Sequence, residues 1–201
     1  MQIPRPSQII DIARKLIISV VLHIQYNQWT IAEYFRKQGA QIGRGCSIKI
    51  HSLGQKPYLV NIGNHVYVAE GVVFRNRCGG VWIFREEIPD LQCFGPIIVE
   101  DNCIIGQNSV LLPNVKIGKN SIIEPGSVVN SNIPPNSVVI GAPAQVIGNA
   151  HEYKKRYVNG WQIQRPSDVY IEEGRNWWTT RHWKDNEKKL RRHLNELFFK
   201  K

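Results

Sequence analysis

Residues 99–134 decide the fold when written in sixes: VEDNCI (99–104), IGQNSV (105–110), LLPNVK (111–116), IGKNSI (117–122), IEPGSV (123–128) and VNSNIP (129–134). An aliphatic residue opens every unit: Val99, Ile105, Leu111, Ile117, Ile123 and Val129. A small or β-branched residue follows four places later: Cys103, Ser109, Val115, Ser121, Ser127 and Ile133. A helix needs apolar residues every three to four positions, and a half-buried strand every second one. A strict six fits neither. It fits short strands joined by tight turns, three units to a triangular coil, with each coil burying its aliphatics against the next. The expected fold is therefore mainly β, a stack of coils around one continuous core.

Upstream, the pattern starts at Gln41 with IGRGCS (42–47) and IKIHSL (48–53), and Gly54–Leu59 interrupts it. It resumes with IGNHVY (62–67), VAEGVV (68–73) and FRNRCG (74–79), then fails over GVWIFREEIPDLQCFGP (80–96). Excursions of that length in a compact domain are usually functional or disordered. Trp82, Phe84 and Phe94 argue for an ordered one. The period returns at Val99 and runs out near Ile147. This divides the chain into an amphipathic N-terminal helix (1–40), the coil with its excursion (41–147) and a basic, Trp-rich helical extension (148–201).

The flanks carry the charge. Of the formal +10, residues 41–150 contribute +1, the first forty +3 and the segment from His151 onward +6. Ser7 is a preferred N-cap type for a helix running to about Gln38, with Ile9, Ala13, Leu16, Ile17, Val20, Ile24, Ile31 and Phe35 on its apolar stripe. Its apolar run is too short to span a bilayer. Packing over the open end of the coil is the favoured role, ahead of peripheral membrane contact. In the extension, His151–Val158 reads as a short helix broken by Gly160–Arg165. Trp161, Trp177, Trp178 and Trp183 gather near the end, and Leu190, Leu194, Leu197 and Phe198 form a stripe ringed by Lys and Arg. That helix is expected to pack on the protein, with an anionic membrane surface or an acidic partner as alternatives. No nucleic-acid module accompanies the charge, so nucleic acid is not expected.

Cys46, Cys78, Cys93 and Cys103 lack CxxC spacing, which argues against zinc. Cys46, Cys78 and Cys103 fall at the inward fifth place, where buried, reduced thiols are expected. The N-terminus shows no basic region leading to a cleavage site, so the expected location is the cytoplasm or the inner face of its membrane.

The run IGQNSVLLPNVKIGKNSIIEPGSVV, followed by IPPNSVVIGAPAQVI, resembles the hexapeptide-repeat acyltransferases. Over Gly39–Ile147 it is most similar to the sugar and capsular-polysaccharide O-acetyltransferases, and GGVWIFR with the later PD and FGP matches one subgroup. The resemblance implies a left-handed parallel β-helix, a homotrimer with sites between subunits, acetyl-CoA as co-substrate, and a saccharide acceptor. The hand comes from the family alone, since parallel crossovers are ordinarily right-handed. The family's general base is a histidine in a Thr-His-Asp-Gly-Gly run, where this chain has Asn76-Arg77-Cys78-Gly79-Gly80. Arg77 takes the histidine position and Cys78 that of its acidic neighbour. A guanidinium stays protonated and accepts no proton, so Arg77 is not a base. His51 is the fallback base. His65, Glu86, Glu87 and a Cys78 nucleophile are further candidates.

By the same resemblance, Gly106, Ser109, Gly126, Ser127, Ala142 and Gln145 stand at coenzyme positions, and Trp82 and Arg85 at acceptor positions. The coenzyme side departs too. Pro125 removes a backbone N–H, and Ser131 and Gln145 replace lysines that hold CoA phosphates in relatives. Lys116, Lys119 or the basic tail are the candidate replacements. Two readings follow: an acetyl-CoA-dependent O-acetyltransferase without its usual base, or a catalytically degenerate β-helix subunit with a structural or regulatory role, in a mixed trimer for instance. A γ-type carbonic anhydrase would need three zinc histidines, which His51, His65 and His151 are not spaced to supply.

Overall fold

The protein is described by a computed structural model covering residues 17, 21, 22, 24–169 and 181–199. Its centre is a parallel β-helix. The first coil holds β1 (Gln41–Ile42) and β2 (Ser47–Ile48), and the second holds β3 (Val60–Ile62), β4 (Tyr67–Val68) and β5 (Val73–Phe74). The third holds β6 (Ile97–Val99), β7 (Ile104–Ile105) and β8 (Val110–Leu111), and the fourth β9 (Val115–Ile117), β10 (Ile122–Ile123) and β11 (Val128–Val129). Strands stack in parallel into three sheets, β1-β3-β6-β9, β5-β8-β11 and β2-β4-β7-β10, the last continued by two closing strands.

The residues that open the six-residue units form the rungs. Ile62 pairs with Val99 and Val99 with Ile117, Val68 with Ile105 and Ile105 with Ile123, Phe74 with Leu111 and Leu111 with Val129. All nine are buried, as are Cys103, Ser109, Val115, Ser121, Ser127 and Ile133. Fully burying one such aliphatic contributes about 1.5–3 kcal/mol, so the rungs are the main source of stability. At one corner His65, Asn102, Asn120 and Asn136 all have φ between 54° and 60°, and their side chains form a ladder. His65 Nδ1 lies 2.8 Å from Asn102 Oδ1, Asn102 Nδ2 donates to Asn120 Oδ1 at 2.9 Å, and Asn120 Nδ2 donates to Asn136 Oδ1 at 2.9 Å. Asn tolerates the left-handed region because its short polar side chain bonds locally.

Each end of the stack is closed. At the first, α1 (Ile31–Lys37) buries Ile31, Ala32 and Phe35 in the same cluster as Ile48, and Arg36 donates to the Ile42 and Gly43 carbonyls at 2.9 and 2.7 Å. The expected unbroken helix to Gln38 does not form. Helical residues run to Gln25, and Asn27 Oδ1 then accepts the backbone N–H groups of Trp29 and Thr30 at 2.9 and 3.2 Å, a local bond that competes with the helix. Ser7 lies outside the described residues. At the other end the coil does not simply run out. β12 (Ser137–Gly141) pairs antiparallel with β13 (Ala144–Asn149) after a turn at Ala142 and Pro143.

The chain divides into two compact units, Met1–Ala150 and His151–Lys201. The second contains nearly all of α2 (Ala150–Gln164) and all of α3 (Trp183–Phe199). Gly160 does not break α2 as expected: glycine costs only about 1 kcal/mol against alanine inside a helix, and the helix instead stops ahead of Pro166. Within this unit Lys189 donates to the Asp168 carbonyl at 2.7 Å and pairs with Asp185 at 3.2 Å. Leu190 and Leu194 are half-buried, while Leu197 and Phe198 are exposed. Trp177 and Trp178 lie outside the described residues. Among the described residues, no helix is long and apolar enough to cross a membrane.

Candidate functional site

The excursion leaves the coil where the sixth-residue pattern fails, and Asn76 is the pivot. It is 1% exposed, and its side chain makes three hydrogen bonds to Leu53 and Lys56, at and just inside the Gly54–Leu59 interruption. Nδ2 donates to the Leu53 and Lys56 carbonyls at 2.8 and 2.9 Å, and Oδ1 accepts the Lys56 N–H at 3.2 Å. Gly54, at φ +83°, lies so close to this amide that a Cβ there would meet Asn76 Oδ1 at 2.8 Å. The first coil step therefore spans twenty residues, Ile42 to Ile62, and the next, which carries the excursion, thirty-seven, Ile62 to Val99, against eighteen from Val99 to Ile117. The two irregular segments of the sequence meet at one place.

Beyond Asn76 the chain forms a neck. Arg77 bridges Phe94 in antiparallel fashion, with Cys78 N–H donating to the Cys93 carbonyl at 2.8 Å and Gly95 N–H to the Asn76 carbonyl at 3.2 Å. This takes Cys78 out of the inward register expected for it. Cys78 is half-buried, whereas Cys46 and Cys103 are buried, and all four cysteines are free thiols. Residues Gly80–Phe84 then turn as a 3-10 helix.

Neck, interruption and β5 enclose a cleft of about 620 Å³ lined by Arg75, Arg77, Arg85, Trp82 and Gln55 among others. Arg77 Nη1 donates to Gln55 Oε1 at 3.1 Å, while its Nε is buried without a hydrogen-bond partner. Leaving a buried donor unpaired costs about 1–3 kcal/mol. Arg85 Nε donates to the Leu91 carbonyl at 3.2 Å, and its guanidinium lies over the Trp82 ring, 5.4 Å from the centroid. Trp82 is 71% exposed. Among the described residues that line the cleft there is no carboxylate and no imidazole. Arg75, Arg77 and Arg85 form no ion pair among the described residues. The cleft can thus recognise negative charge and a flat apolar surface, but it holds no proton acceptor of its own.

Arg77, Trp82 and Arg85, three positions marked by the sequence, meet in this cleft. Arg75, Gln55 and Asn76 join them without having been singled out as site residues. The stretch Gly54–Leu59, where the period slips, was the signal that could have found Gln55 and Asn76. His51 is half-buried on the first coil and is not part of the lining, and neither is Cys78. His65 is engaged in the ladder, and Glu86 and Glu87 are exposed outside the cleft.

The six coenzyme positions lie on the later coils. Ser109 and Ser127 are fully buried, and their hydroxyls donate to the Glu124 carbonyl at 3.2 and 2.6 Å, inside the coil. Gly106 packs against the next coil, where a Cβ would meet Pro125 N at 2.5 Å. Gly126 stands at φ +73° on a corner, and Ala142 and Gln145 are exposed at the closing hairpin. Lys116 is occupied by Glu100 at 2.7 Å, which holds the Glu100 carboxyl below its usual range. Lys119 lines a second cleft on the β3-β6 face.

Comparison with known proteins adds to this geometry. Residues 96–131 match the model for bacterial transferase hexapeptide (six repeats). Protein CapG of Staphylococcus aureus is 41% identical over 124 residues, which are 60% of this chain and 72% of that protein. The chain belongs to the hexapeptide-repeat acetyltransferase family. The galactoside O-acetyltransferase of Escherichia coli is a second member, 30% identical over 154 residues, covering 76% of this chain and 75% of that one. Among solved structures, a hexapeptide-repeat acetyltransferase of Vibrio cholerae matches with TM-score 0.51 at 20% identity, over 69% of this chain and 89% of that chain, a likeness of fold alone. On its β-helix, this hexapeptide-repeat chain carries a cleft lined by Arg75, Arg77 and Arg85.

Proposed function

We propose that the protein takes part in acetyl transfer from acetyl-CoA to a saccharide hydroxyl, at the cleft between the first two coils and the excursion. One observation carries the reading: Arg77, Trp82 and Arg85, which match the family's catalytic and acceptor positions, line a single cleft. In that reaction the hydroxyl oxygen attacks the thioester carbonyl, the C–S bond breaks, CoA leaves as the thiolate, and the hydroxyl proton passes to a base. Arg77 cannot take it. Turnover through this cleft therefore needs an acceptor from a neighbouring subunit or from solvent, and slow transfer is expected.

Assembly as a trimer is part of the proposal. Two of the coil's three outer faces are apolar: Tyr67, Ile104 and Ile122 align on one, and Val73, Val110 and Val128 on the next. Gln41, Asn61 and Lys116 make the third mostly polar. Val73 and Ile104 are 42% and 37% exposed in the single chain, and two apolar faces per subunit suit packing around a threefold axis.

A second reading, a degenerate subunit acting in a mixed trimer, is favoured by the cleft's lack of any imidazole or carboxylate. Calorimetric titration with acetyl-CoA, paired with a mass-spectrometric transfer assay, separates the two. Weak binding with slow transfer is expected, and Arg77→His alone should restore little, because Cys78 still replaces the acidic neighbour. Tight binding with ready transfer would remove the degenerate reading. No binding at millimolar acetyl-CoA would remove the enzyme reading.

A further inference from the structure

The arginine cleft has a property that acetyl transfer to a neutral sugar does not call for. Three guanidinium groups, Arg75, Arg77 and Arg85, surround one space, and no described residue pairs with any of them ionically. Like charges brought together without compensation repel, and a bound anion relieves that repulsion. Two other cations on the coil are neutralised in place, Lys49 by Glu70 at 2.9 Å and Lys116 by Glu100 at 2.7 Å. The cleft gathers three cations of a nearly neutral coil segment around one space. Gln55 adds a second, independent sign, since it accepts from Arg77 Nη1 at 3.1 Å and so holds the guanidinium at the cleft wall. A guanidinium held from one side presents its remaining donors as a fork, the geometry that matches a carboxylate or phosphate bidentately. Trp82, with Arg85 laid over it, supplies the flat apolar surface on which a pyranose ring can rest.

We infer that the acceptor bound here is an anionic saccharide, carrying a carboxylate or a phosphate that Arg77 grips with Arg75 and Arg85 while the sugar ring lies against Trp82. This rests on the proposed function for the identity of the site, and it names the substrate class. Arg77 is then a binding residue, and its charge replaces a proton acceptor with an anchor for negative charge.

Binding is measured without acetyl-CoA, so that its outcome is separate from transfer. The full-length protein is titrated with galacturonate, galactose 1-phosphate, galactose and adenosine 3′,5′-bisphosphate, at low and at high salt. At least one anionic sugar should bind about tenfold or more tightly than galactose, with the preference shrinking as salt rises. The arm that wins tells carboxylate from phosphate. Arg77→Gln and Arg85→Gln should each weaken that anionic sugar about tenfold and by clearly more than they weaken galactose, and Arg77→Lys should retain part of the preference. The wild-type comparison needs no variant to fold. Equal affinity for galactose and the anionic sugars, or no binding of either anionic sugar, overturns the inference. So does binding of the bisphosphate alone through the same arginines, which would assign the cleft to the coenzyme. So would loss of oligomerisation in the Gln variants without any anion preference, which would assign the arginines to a carboxylate of a neighbouring subunit. Transfer to neutral sugars alone would leave the proposed function standing and sink this inference.

Discussion

Asn76 and Cys103 show how single residues hold this coil to its pattern. Asn76→Ala would strand the Leu53 and Lys56 carbonyls and the Lys56 N–H. A loss of about 1–3 kcal/mol is expected, read as a lower urea midpoint with unchanged slope. Cys103 is buried against the Gly118 carbonyl, and burial, aided by Glu100 and Asp101, pushes its thiol up to about 11. Its folded value is raised above the ordinary 9.0. Its contribution is therefore complete below pH 9 and is lost as pH climbs from there toward 11. Alkaline melts of the wild type should fall over that window, and Cys103→Ser should flatten the fall. In the native state Cys78 and Cys93 should react with a thiol reagent well before Cys46 and Cys103. Arg77, Trp82 and Arg85 were legible in the sequence because they sit in one local motif. Asn76 and Gln55 were not, because their roles arise only when the segment at 54–59 folds back against β5.

At the scale of the element, the asparagine ladder and the two closures matter most. Asn120 has φ 58° and bonds both neighbours in its ladder. Asn120→Gly and Asn120→Ala both lose those bonds, but alanine also meets the left-handed penalty. Alanine should therefore be the worse by about 1 kcal/mol in chemical denaturation. Leu111→Ala, in the middle of a rung, should cost about 2–5 kcal/mol. The rungs were readable from period alone, since burial of every sixth residue leaves a mark no other element makes. The break at Asn27 and the closing hairpin were not. The Asn27 turn depends on one side chain outbidding a helix, and β13 turns back against β12 where the period gave no sign of reversal.

For the whole molecule, charge and compactness divide at the same point. The unit ending at Ala150 contains the coil and its cleft, and the basic surplus concentrates beyond it. A chain truncated after Ala150 should keep its far-ultraviolet strand signal and melt cooperatively, and a molten or aggregated product would refute that autonomy. The spacing of the rungs carries a further consequence. Val99 pairs with Ile117, Ile104 with Ile122 and Val110 with Val128, always eighteen residues on, so this part of the chain behaves as a ruler with a fixed graduation. Its length is then an adjustable quantity. Repeating residues 99–116 once before Ile117 should lengthen the stack by about 4.8 Å and leave the cleft untouched, whereas inserting nine residues should break every later rung.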